Sequence, residues 1–208
     1  MQLVKHAGRA VRRSLNPIAR WVGGLQADLA MRADPRAVVL DLERQLQRNE
    51  YECGAAGPFA ILRYHGKGRS LDATALAVGT TEEDGTSEGP ILRLFRARGL
   101  RPIVKARATL RDVRAGIDAG APVLVCVNQE THWSVVYGYS RDRIWLADPS
   151  AYQAFAREAI TNAEFRERWD NRWAVIVRAG PRRRRAATVR TARRDPATSR
   201  RSAPLRSG

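Results

Sequence analysis

The chain has 208 residues, enough for one full hydrophobic core with tails, and a formal net charge of +16. Spread evenly, that charge would suggest nucleic acid. However, residues 1–36 carry seven Lys/Arg against two Asp and residues 181–208 carry ten Arg against one Asp, leaving 20 basic and 18 acidic residues between them. No apolar run approaches the roughly 20 residues of a membrane span. Lys5, Arg9, Arg12 and Arg13 are not followed by an uninterrupted apolar segment, so no secretory signal is predicted and the cytoplasm is the default location.

In chain order, residues 1–36 read as a solvated, partly disordered basic arm. Leu3, Val4, Ala10, Val11 and Leu15 are loosely helical in spacing up to Asn16-Pro17, which keeps membrane-surface or partner binding open. The arm also holds a Gly23-Gly24 pair. Residues 37–46 are apolar enough to dock on a domain, as helix or strand. A helix is predicted over 55–64, with Phe59, Ile61 and Leu62 as its apolar faces, Cys53 at its entry and Gly66 closing it. Pro58 removes an N–H there and predicts a late start or a kink. Further helices are expected at 70–77, capped by Ser70, at 90–95 before Gly99, and at 109–117 before Gly120. An acidic loop covers 80–85 and a short strand 101–105.

The pattern then changes to β. Residues 122–127 form a β-branched run of buried-strand length, and 132–139 and 144–148 are joined by a polar loop short enough for an antiparallel hairpin. A helix at 161–169 and a last strand at 172–177 complete the pattern. Helices first and a small antiparallel sheet second make an α+β domain over 37–180. Beyond Gly180 the Arg, Ala, Ser, Thr and Pro composition predicts a disordered tail.

The chemistry centres on Cys53. A sulfur at a helix N-terminus faces unpaired backbone N–H groups and the positive end of the helix dipole, which favour thiolate. His132 begins one hairpin strand and Asp148 ends the next, so the two side chains can meet, with the carboxylate holding the imidazole in one tautomer. Gln47, six residues before Cys53, and the backbone N–H at the helix start are candidate oxyanion donors. Each residue alone has a plainer structural explanation, but those explanations do not predict one another. Cys126, within Val-Leu-Val-Cys-Val, reads as core, and a disulfide with Cys53 is not expected. His6 and His65 have no partner at zinc spacing, and no cofactor is expected.

Gln47, Glu52-Cys53-Gly54, Tyr64-His65-Gly66, His132-Trp133-Ser134-Val135-Val136 and Ala147-Asp148-Pro149 together resemble the bacteriocin-processing, double-glycine cysteine peptidase family over about residues 45–150. The resemblance implies a papain-like fold, with Cys53 as nucleophile, His132 as general base and acid, Asp148 as orienting carboxylate and Gln47 as oxyanion donor. Members typically cut peptide precursors after a Gly-Gly pair, often as the N-terminal domain of an ABC exporter. This chain departs from that pattern in having no predicted membrane span or nucleotide-binding domain, so direct coupling to export is not expected.

Two readings follow. One is a cysteine peptidase acting on a peptide or protein through a thioester, or a relative that transfers the acyl group to an amine. The other is a catalytically silent papain-like protein whose basic ends, notably Arg182 to Arg185, hold nucleic acid or another anionic partner without sequence selectivity. The joint presence of four site residues favours the first.

Overall fold

The computed structural model describes residue 29, residues 34–150 and residues 157–181. The basic arm expected over most of 1–36 and the Arg-rich tail lie outside the described residues. The elements are β1 (Val38–Val39), α1 (Cys53–Tyr64), α2 (Leu71–Val78), α3 (Glu88–Ala97), β2 (Leu100–Lys105), α4 (Leu110–Asp118), β3 (Val123–Val127), β4 (His132–Tyr139), β5 (Arg143–Ala147), β6 (Arg157–Thr161), α5 (Asn162–Arg168) and β7 (Ala174–Ala179). This is an α+β, papain-like architecture.

The strands form one antiparallel sheet in the order β2-β7-β3-β4-β5-β6, with β1 pairing the far end of β4. It is larger than the small sheet expected, for two reasons. β2, from the helical half of the chain, closes one edge on β7. β6, for which no strand was expected, closes the other on β5. Its sequence Arg-Glu-Ala-Ile-Thr begins with three residues of low strand preference and is too short to signal a strand alone, so pairing along the open edge of β5 makes it one. The segment open to helix or strand is strand only at Val38–Val39, and Leu42 beyond it is fully buried in the core.

The sheet carries an apolar layer on each face, and burial of those layers is the main stabilising term. Against α1, α2 and α3 it presents Leu124, Cys126, Trp133, Val135, Tyr137, Trp145, Val175 and Val177. Against α4 and α5 it presents Val123, Val125, Val127, Val136, Ile144, Leu146 and Ile176. The alternation of these two sets along β3 and β4 is the period-two signature of strands buried on both sides.

The helix ends follow their capping chemistry. Ser70 caps α2 by accepting from Ala73 N, and Gly79 ends it in the left-handed conformation (φ 66). Thr109 and Thr161 open α4 and α5 with reciprocal capping boxes to Asp112 and Glu164. Pro58 does not delay α1, which starts at Cys53 and carries Pro58 as its sixth residue. The missing N–H would have reached only the carbonyl of Gly54, so one helical bond is lost and the rest of the ladder continues.

Candidate active site

α1 places its first residue, Cys53, against the sheet. Glu52 occupies the N-cap position, with its carbonyl accepting from Ala55 N at 3.0 Å and Ala56 N at 2.9 Å. The amides of Cys53 and Gly54 therefore sit in the first turn, where the helix itself offers no acceptor. The Glu52 side chain does not cap. It turns back to Arg48, whose Nη2 meets Oε1 at 2.6 Å and whose Nε and backbone N donate to Oε2 at 3.1 and 3.0 Å. The Arg48 hydrogen bond holds the Glu52 carboxyl below its usual range despite burial. Arg48 also pairs with Asp72 of α2 at 2.6 Å, tying the entry of α1 to the neighbouring helix. The Glu52 carboxylate beside Cys53 is thus matched by the Arg48 guanidinium.

Gly54 explains how close the approach is. A Cβ there would lie 2.4 Å from Thr86 Cβ and 2.9 Å from Trp133 Cδ1. Trp133 Nε1 donates to Thr86 O at 2.9 Å, Thr86 Oγ1 lies 2.7 Å from Thr80 Oγ1, and Trp173 meets Trp133 edge-on at 5.3 Å between centroids. The wall against Gly54 is therefore Thr86 and Trp133, with Trp173 packed behind Trp133. Sequence reasoning assigned no site role to these three; the small residue after the cysteine was the signal for close packing there.

β4 and β5 pair Val135 with Ala147 and Val136 with Leu146. Continued one step, that register sets Asp148 opposite Ser134 and diagonal to His132, within reach of an imidazole. His132 Nε2 meets Asp148 Oδ1 at 2.8 Å, and the two side chains are 12% and 4% exposed. Asp148 Oδ1 also accepts from Ser150 N at 2.7 Å, which fixes the carboxylate. The imidazole lies close enough to the Cys53 side chain for the two to interact electrostatically. With Nε2 committed to Asp148, the nitrogen left for sulfur is Nδ1. Burial opposes charge on His132, but the hydrogen bond to Asp148, the Asp148 charge and the interaction with Cys53 outweigh it, and its pKa is pushed up to about 10.

Gln47 arrives at the same end of the domain through its backbone, donating N–H to Pro149 O at 2.8 Å. Its side chain is buried, Nε2 donates to Asn49 O at 2.6 Å, and Oε1 has no hydrogen-bond partner. The structure thus brings Cys53, His132 and Asp148 together at one end of the domain, with Gln47 joined to that end of the fold. Cys126 lies in the same apolar layer, where burial pushes its thiol up to about 11, and both cysteines are free. His65 is half-buried with Nε2 at 3.0 Å from Val177 O, and burial lowers its pKa, a packing role at the end of α1.

A cysteine at a helix entry, opposite a histidine and a carboxylate on adjacent strands, defines a papain-like cysteine-site architecture. The Peptidase C39 family model matches residues 42–180, and the chain belongs to that family. Among solved structures, a double-glycine motif protease from an AMS/PCAT transporter, in complex with the leader peptide, is similar at 20% identity and TM-score 0.57, covering 68% of this chain and 94% of that one. The peptidase domain of Streptococcus ComA, a bi-functional ABC transporter involved in a quorum-sensing pathway, is similar at 17% identity and TM-score 0.57, covering 66% and 98%. A C39-like peptidase described as putative, from Bacillus anthracis, is similar at 13% identity and TM-score 0.55, covering 70% and 98%. No curated protein matches in sequence. Among the described residues, no helix is long and apolar enough to cross a membrane.

Proposed function

We propose that this chain is a cysteine peptidase that cleaves a peptide precursor after a Gly-Gly pair. The observation that carries the reading is the His132–Asp148 pair set beside Cys53 at the entry of α1, supported by membership of the C39 family. The substrate class is carried over from the double-glycine relative seen with its leader peptide.

In this reading His132 Nδ1 takes the proton of Cys53 Sγ, and Asp148 stabilises the resulting imidazolium through Nε2. The sulfur attacks the scissile carbonyl carbon. The oxyanion accepts from the Cys53 backbone N–H and from the second Nε2 hydrogen of Gln47, the first being committed to Asn49. The tetrahedral intermediate collapses, the C–N bond breaks, and His132 returns its proton to the leaving amine. Water then attacks the thioester, with His132 as base, releasing the carboxylate and restoring the thiol.

The test is the pH dependence of Cys53 alkylation by iodoacetamide, read by mass spectrometry in wild type and His132→Ala with Cys126 as internal control, alongside hydrolysis of a Gly-Gly peptide. Rapid Cys53 labelling near neutral pH that collapses in the variant, with hydrolysis lost in Cys53→Ala, is the expected result. Labelling no faster than a free thiol of pKa about 8.5, and unchanged in the variant, sinks the reading.

A further inference from the structure

On the face of the sheet away from Cys53, a cleft of about 270 Å³ opens between the start of α4 and the end of α5. Thr109, Leu110, Arg111, Arg166, Trp169 and Arg172 line it. We propose that this cleft binds a multiply charged oxyanion, phosphoryl or polycarboxylate, gripped by Arg111, Arg166 and Arg172. Three arginines line one concavity, and none of them is in an ion pair among the described residues. The nearby carboxylate Asp112 is already committed to Thr109 and to Lys105, and Glu164 to Thr161, so neither is spare to neutralise the arginines.

This concentration of charge is local, because the stretch between the two basic termini is close to neutral. Planar guanidiniums hold oxyanions through paired N–H donors, which a lysine cluster would not do as selectively. The helix start is not the binder, since Thr109 itself accepts from Asp112 N. Trp169 is buried, stacks on Phe165 and spends its N–H on Trp173 O at 2.7 Å, so it offers an apolar floor. Arg172 holds a left-handed backbone (φ 53), and its carbonyl accepts from Ala108 N at 2.8 Å, anchoring that arginine at the rim. At roughly 30 Å³ per water molecule, the volume accommodates an anion larger than one phosphate.

The experiment is calorimetric titration of the full chain, at constant ionic strength, with inorganic phosphate, pyrophosphate and citrate, in wild type, single Arg→Gln variants of the three positions and the triple variant. Arg96→Gln/Arg101→Gln/Arg178→Gln, three exposed arginines outside the cleft, serves as a charge-matched control for the triple variant. Saturable binding that weakens about tenfold for each cleft arginine, disappears in the triple variant and survives in the control is expected. Preference for pyrophosphate would name a phosphoryl ligand, and preference for citrate a polycarboxylate. Binding that persists in the triple variant, or falls equally in the control, overturns the proposal, as does the absence of saturable binding by any of the three anions. Thermal melts without ligand confirm that the variants fold, and Cys53 labelling at its wild-type rate confirms that the two sites are separate.

Discussion

The two faces of the sheet use the same strands for different ends. On one, α1 begins with Cys-Gly-Ala-Ala-Gly and lies so close that Gly54 leaves no room for a methyl group, and a sulfur, an imidazole and a carboxylate lie together there. On the other, Phe165 and Trp169 stack to fill the layer under α5, while the cleft beside them is ringed by exposed arginines. Small residues bring backbone close enough to position a reacting atom, whereas bulky ones fill volume and hold a surface at a distance. The contrast teaches that the chemistry of the first face depends on geometry as well as on which residues are present.

The strongest way to break the comparison is Asp148→Asn. Loss of the carboxylate charge leaves burial to dominate, so the His132 pKa should fall from about 10. Because that pKa stands above the unfolded value, the ion pair's stabilisation is complete below about pH 6.5 and is lost as pH rises through about 10. Melting temperatures across this window should therefore fall with pH in wild type and less so in the variant. Peptide hydrolysis should drop by about 10²- to 10⁴-fold. An unchanged pH profile would remove Asp148 from the site.

Paired glycine variants sharpen the contrast. Gly54→Ala puts a Cβ 2.4 Å from Thr86 Cβ, whereas Gly116→Ala on α4 puts one 3.0 Å from Val123 Cγ2 and 3.1 Å from Ile176 Cγ2. Both overpack, at about 1–3 kcal/mol for the first and nearer 1 kcal/mol for the second. Only Gly54→Ala should also slow Cys53 alkylation, by roughly 10²-fold for an ångström of displacement. Equal effects on labelling would mean that the close approach does not position the sulfur.

The smallest effect lies in the turn joining β3 to β4. Asn128, Gln129 and Glu130 all hold left-handed backbone, at φ 56, 60 and 64, just before His132. Gln129→Gly should stabilise the fold by about 0.5–1 kcal/mol in denaturant melts, as relief of strain exceeds the extra entropy of the unfolded glycine. Labelling of Cys53 should stay as in wild type, and a changed rate would make the turn part of the site.

Much of this arrangement was legible in the linear chain. Cys53 at a helix entry, the alternation in 132–139, the short loop to 144–148 and the threonine and serine caps are local signals, carried by residues within a few positions of each other. The β5–β6 pairing was not legible, because Arg-Glu-Ala-Ile-Thr becomes a strand only where β5 offers an open edge. Nor were Arg48 against Asp72, or Trp173 against Trp133, which depend on the packing of separate elements.

The sequence by itself determined the α+β order, the layers of apolar residues and the types of side chain available to the site, because periodicity and capping act over a turn or a pair of strands. The tertiary structure decided which imidazole nitrogen meets Asp148, where the Gln47 amide is spent, and that three arginines from α4, α5 and the loop before β7 share one cleft. Those outcomes depend on distances of an ångström or two between elements far apart in the chain, and only close packing sets such distances.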